Sequence, residues 1–483
     1  MIRKHDGIAI PEDDPYVNDK LEREQHVLRV SDLTSTITQP FCLALDGPWG
    51  SGKTTFVRML NAELLNRGRQ CLCFNAWEND FVLDPLLAFV AEIDQAIAKR
   101  TLPAERTSAS LAAWENVKRH MQRAVSYVVP AAIRFAPGVV GDPSPLTSQA
   151  ASAIAQLAGD LLEGDQHHET PELDRYGDAK KALVTFRASV TEFVEAVKAD
   201  LGNSAFPITI IVDELDRCRP SFALELLERI KHLFCIPGLL FVLAIDKSQL
   251  AHMIRAVYGR DTNADGYLRR FVDLTFRLPD PPIEKYTSYL FETFGMTEVM
   301  KQRRDPHGER QVLLGVLNDW SCIFEFSLRT VEQCFSRLNL AIRLADPKAI
   351  LVPRSLAFLI ALQGWNAHVY DRFASGRIGT ADLMELLGEN PAAAAHLGDP
   401  RNQRECYQLY WLSGKTNEFA ERLSRTQGIV ADESKGNEEK QAASEELACY
   451  QSLSNTYHFL SRRGVVLPYL SGLIDATKDF KET

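Results

Sequence analysis

Residues Gly47-Pro48-Trp49-Gly50-Ser51-Gly52-Lys53-Thr54 meet the pattern G-x-x-x-x-G-K-[ST] at every defined position. The chemistry that this spacing serves is the holding of phosphate. Glycines let successive backbone N–H groups turn inward as an anion nest, and the N-terminus of the helix after the loop adds its positive end. Lys53 would reach the β- and γ-phosphates and the Thr54 hydroxyl would ligate Mg²⁺. With Thr55 beside them, Gly47, Pro48, Trp49, Gly50, Ser51, Gly52, Lys53 and Thr54 form the candidate phosphate-binding set. A second acidic centre lies downstream. Asp213 ends the β-branched run Ile208-Thr209-Ile210-Ile211-Val212, where a carboxylate can hold the metal shell. Glu214 follows, suited to orienting an attacking water.

These residues need a rigid frame. Phe41–Leu45 is short and apolar enough for a buried strand before the loop, and Val57, Leu60 and Leu64 mark a helix after it. Further strands are predicted at Cys71–Phe74, Ile208–Val212, Leu239–Ile245 and Val272–Leu278. Leu87, Val90, Ile93 and Ile97 mark a helix over 84–100. A stripe from Leu183 to Leu201 marks another, and Leu224, Leu227, Ile230 and Phe234 mark a crossover helix. Alternating strands and helices predict an α/β fold with a parallel sheet flanked by helices. Residues 1–40 read as a lead-in, 41–282 as the core and 101–178 as an insertion within it. Residues 283–400 read as a helical lid or C-terminal domain, with helices over 284–300, 309–323, 329–345 and 354–374. Residues 401–483 read as a helical tail with a charged linker at 433–446 and a closing helix within 456–474.

A chain of 483 residues with 45% hydrophobic and 24% charged residues is folded and divided into domains. Its 54 basic against 64 acidic residues leave a formal net charge of −10, which disfavours a nucleic-acid-coating protein or motor. Nine cysteines include no C-x-x-C pair, and Cys42, Cys71, Cys73, Cys218 and Cys235 sit in or beside apolar runs. Reduced thiols and a cytoplasmic location follow, with zinc binding disfavoured. The N-terminus carries no apolar signal-peptide core. The most membrane-like stretch, from Ala124, is broken by Pro130, Arg134 and Pro137, short of the about twenty apolar residues that a span needs.

The acidic motif continues as Asp213-Glu214-Leu215-Asp216-Arg217-Cys218-Arg219-Pro220. Together with Gly47–Thr54, Phe74-Asn75-Ala76-Trp77, Phe241–Asp246 and Tyr267-Leu268-Arg269-Arg270-Phe271, it closely resembles the KAP family of P-loop NTPases over about residues 40–345. The resemblance implies an ASCE-type sheet, ATP as the nucleotide, and a regulatory or assembly role. Bacterial relatives are linked to exclusion of phages or plasmids, and animal relatives to membrane-associated signalling. The family often inserts transmembrane helices between the two nucleotide motifs, where residues 101–178 fall, so membrane association through them is the alternative location. The absence of an [NT]-K-x-D tetrad after these motifs disfavours GTP.

Arg217, Arg269, Arg270 and Arg329 are the basic candidates for neutralising transition-state charge, or for structural ion pairs; Arg270 and Arg329 are preferred. Asp216 reads as a local salt-bridge partner. Asp246 reads equally as a γ-phosphate sensor or, with Gln249, a helix cap. Trp49 and Trp77 read as core or as cover over the nucleotide. The leading functional reading is an ATPase whose helical segment reports nucleotide state to a protein partner or to other copies. The alternative is an ATP-gated scaffold without turnover.

Overall fold

The computed structural model describes residues 8–37, 39–82, 84–98, 108–128, 172–200, 207–303, 309–346 and 351–399. Beyond these it describes 402, 409, 416–432, 434–437, 439–441, 443–445, 447–448 and 467–476. Five strands form one parallel sheet: β1 (Phe41–Asp46), β2 (Cys71–Asn75), β3 (Ile208–Asp213), β4 (Leu239–Ile245) and β5 (Leu274–Arg277). Their order is β2-β3-β4-β1-β5, so β4 lies between the strand before the glycine loop and the strand ending in Asp213. This is the α/β, ASCE-type arrangement that the resemblance implied. The last strand is shorter than its apolar run, 274–277 rather than 272–278, because it forms an edge that is largely solvent-facing.

The central strands are apolar throughout because both faces are covered. On one face Leu43, Leu45, Leu240, Val242 and Ile211 meet α1 (Glu24–Thr36) and α2 (Lys53–Asn66). On the other, Ala44, Phe241, Leu243, Ile210 and Val212 meet a second layer. That layer comprises α3 (Pro85–Ala98), α4 (Ser108–Val128), α5 (Glu172–Asp200), α6 (Pro220–Ile230), α7 (Lys247–Tyr258) and α8 (Ala264–Leu268). Neighbouring residues of one strand divide between the two cores as the pleat demands.

Residues 8–40, read as a lead-in, lie in the compact unit Ile8–Asp280 that holds the sheet. Val27 and Val30 of α1 are fully packed in the core, and Tyr16 donates to Glu63 of α2 at 3.0 Å. Within the segment read as an insertion, α4 packs Trp114 against Phe193 of α5 with ring centroids 5.0 Å apart. Residues 129–171, including most of the membrane-like stretch, lie outside the described residues. Among those described, no helix is long and apolar enough to cross a membrane.

The second compact unit begins at Pro281 and is helical. The helix expected over 284–300 is two, α9 (Ile283–Thr293) and α10 (Met296–Gln302), because Gly295 turns left-handed at φ 65°. Next come α11 (Glu309–Ile323) and α12 (Leu328–Leu344). The helix expected over 354–374 also divides, into α13 (Pro353–Trp365) and α14 (Ala367–Ala374), where extended Asn366 caps the second through Val369 N–H. The chain continues through α15 (Thr380–Gly388), α16 (Pro391–Gly398), α17 (Thr416–Ala431) and α18 (Leu467–Asp475). Trp320 anchors this core, packed against Phe358 and His396. The segment read as a helical tail with a closing helix contributes α18, with Leu470 and Ile474 buried and Asp475 accepting from Tyr370 Oη at 3.2 Å.

Candidate phosphate-binding site

The glycine loop joins β1 to α2 with Gly50 at φ 78° and Gly52 at φ 88°. Both angles favour glycine, and Gly52 as N-cap leaves the first-turn N–H groups of α2 without a side-chain cap. Gly47 has little room for a side chain, since a Cβ there would meet Ser51 Oγ at 2.8 Å and Leu278 Cβ at 3.3 Å. Arg23 supports the loop from behind. Its buried guanidinium donates to Ser51 O at 3.0 Å and Pro279 O at 2.5 Å, and burial lowers its pKa to about 10. The composition of the lead-in gave no sign of this clamp.

Lys53 Nζ donates to Gly47 O at 2.7 Å and Pro48 O at 3.3 Å, and lies 3.5 Å from Asp216 Oδ2. The Thr54 side chain lies close enough to the Asp213 carboxylate to favour its charged form, so the hydroxyl and carboxylate of the two motifs are neighbours. Asp213 is 7% exposed. Burial, reinforced by Glu214 and Asp216, lifts its pKa from the ordinary 3.8 to about 6, against the hydrogen bond from Glu214 N–H and the nearby Thr54 hydroxyl. A hydroxyl beside a carboxylate whose charge is disfavoured by burial suits a hard cation, which would relieve that burden. Donor type and burial therefore fit Mg²⁺ carried in with a nucleotide.

Glu214 has φ 59°, an uncommon conformation for a residue with a side chain, and its N–H bonds Asp213 Oδ1 at 2.8 Å. Its carboxylate is held by Arg217 at 2.7 Å and by Asn75 Nδ2 at 3.4 Å. Arg217 also lies over the Trp77 ring, 5.8 Å from its centroid. Thus Arg217 serves Glu214. Arg270 is exposed and lies over Tyr267 at 5.8 Å, and Arg269 is exposed beside it. Arg329 is exposed on the first turn of α12, in the other compact unit. Among the described contacts, none links Arg270 to the loop.

Trp49 and Trp77 are not core residues, being 46% and 53% exposed. Asp246 is a helix cap, accepting from Ser248 N and Gln249 N at the start of α7, and it also accepts from Trp49 N–H at 3.2 Å. Asn75 went unread as a site residue, although it stands at the end of β2 beside Asp213.

The family model described as "KAP family P-loop domain" matches residues 27–361. The chain belongs to the KAP family. The match begins inside α1 and ends inside α13, wider at both ends than the motifs alone had marked. No curated protein matches the chain. As a KAP P-loop NTPase domain, this is a nucleotide-binding protein of the NTPase class.

Proposed function

We propose that this protein binds ATP with Mg²⁺ and hydrolyses it, using the nucleotide state as a regulatory or assembly switch. The observation that carries the reading is a buried Asp213 carboxylate neighbouring Thr54, which directly follows Lys53 and the glycine loop whose carbonyls hold the lysine ammonium. The loop N–H groups and Lys53 would bind the β- and γ-phosphates, while Thr54 and Asp213 would hold the metal. Mg²⁺, when bound, supplies neutralisation of phosphate charge. Glu214 would orient the water for in-line attack, with Arg270 or Arg329 supplying a further positive charge in cis or from another copy. Lys53→Ala is expected to abolish ATP binding and turnover, and Glu214→Gln to retain ATP while phosphate release stalls. Equal phosphate release by wild type and Glu214→Gln would remove Glu214 from this role.

A second reading, an ATP-gated scaffold with negligible turnover, is favoured by the engagement of Glu214 with Arg217 and Asn75. Phosphate release with and without candidate partners separates the two. Assignment of the switch to exclusion of phages or plasmids, through a protein partner or a homo-oligomer, rests on the family resemblance. Phage plating on cells carrying wild type or Lys53→Ala tests it, with protection expected from wild type alone.

A further inference from the structure

One oxygen in this unit is shared by three donors. Asp216 Oδ2 accepts from Trp49 Nε1 at 2.6 Å and from Asp246 N at 3.1 Å, and faces Lys53 Nζ at 3.5 Å. Asp216 is 1% exposed. Trp49 closes a ring, since its own backbone N–H donates to Asp246 Oδ2 at 3.2 Å. The ring therefore joins the glycine loop, the turn after β3 and the cap of α7.

An ammonium has three hydrogens, and Lys53 faces three acceptors of its own chain. An incoming anion must displace one of them. Asp216 is the most distant and the only charged one, and its oxygen retains two N–H donors when Lys53 leaves. A buried carboxylate that loses its cation but keeps both donors is not stranded. The same negative charge opposes a bound polyphosphate at close range, and it already helps to raise the neighbouring Asp213.

We infer that Asp216 is a positioning residue that competes with phosphate for Lys53 and, once the anion takes Lys53, holds the loop through Trp49 and the start of α7 through Asp246. The inference rests on the phosphate-binding reading of Lys53. Asp216 thereby has two effects of opposite sign on nucleotide affinity: its charge weakens binding and its two accepted hydrogen bonds strengthen it.

Two substitutions separate these effects. Asp216→Asn keeps an acceptor for Trp49 and Asp246 and removes the charge, so ADP binding by the full chain, followed by calorimetry, should tighten roughly tenfold. Asp216→Ala removes the acceptor as well and should bind more weakly than wild type. A residue of merely structural importance would weaken binding in both variants, and that outcome, or an unchanged affinity in Asp216→Asn, overturns the inference. Should Asp216→Ala fail to fold, Asp216→Asn decides alone. The loop arm is read by tryptophan emission: ADP should change it in wild type, and Trp49→Phe should remove that change. A change that survives Trp49→Phe overturns the part assigned to Trp49. Failure of wild type to bind ADP overturns the phosphate-binding reading together with this inference. Binding by wild type with Asp216→Asn at equal affinity overturns this inference alone.

Discussion

The raised pKa of Asp213 has a consequence for stability. Its folded value of about 6 lies above the ordinary 3.8, so the folded chain binds that proton more tightly than the unfolded chain. The charged form therefore costs stability above about pH 6, and the cost fades as pH falls towards 3.8. With metal chelated and nucleotide removed, Asp213→Asn is predicted to be more stable than wild type at pH 7.5 by up to about 3 kcal/mol. Thermal denaturation should show the gap closing by about pH 4; a gap independent of pH would contradict the assignment. Residues of this kind were legible because G-x-x-x-x-G-K-[ST] and a carboxylate after an apolar strand are local patterns. Asn75 and Arg23 were not. Their roles come from what the fold brings beside them, 139 residues away for Asn75 and Glu214, and no spacing along the chain encodes that.

At the scale of elements, α1 and the segment before it brace the loop. Arg23 spans from this segment to Ser51 and Pro279, while Arg69 Nη1, beyond α2, donates to Ser31 O and Thr34 Oγ1 of α1. Arg23→Ala leaves two carbonyls without their donor and opens space in the core. A loss of about 2–4 kcal/mol is predicted from chemical denaturation, accompanied by weaker nucleotide binding. Unchanged binding in a destabilised variant would confine Arg23 to folding. Strands were legible as apolar runs because every central strand is covered on both faces. Helix breaks in the second unit were not, since one left-handed glycine, Gly295, or one capping asparagine, Asn366, interrupts apolar spacing without disturbing its period.

At the scale of the whole molecule, all the described phosphate-site residues lie in Ile8–Asp280. A fragment of those residues is predicted to fold and to bind ATP within about threefold of the full chain, since every phosphate contact proposed above except the transition-state charge of Arg329 lies within it. Comparing turnover then distinguishes the arginine candidates: loss of hydrolysis with binding retained favours Arg329, and full hydrolysis excludes it. The measurement that tests the central claim most directly is ATP binding by the full chain with Mg²⁺ present and with it chelated, in wild type and in Asp213→Ala. Wild type should bind at least about tenfold more weakly without Mg²⁺, and Asp213→Ala should lose most of that dependence. Binding with equal affinity under both conditions in both proteins would contradict a phosphate site built from Lys53, Thr54 and Asp213.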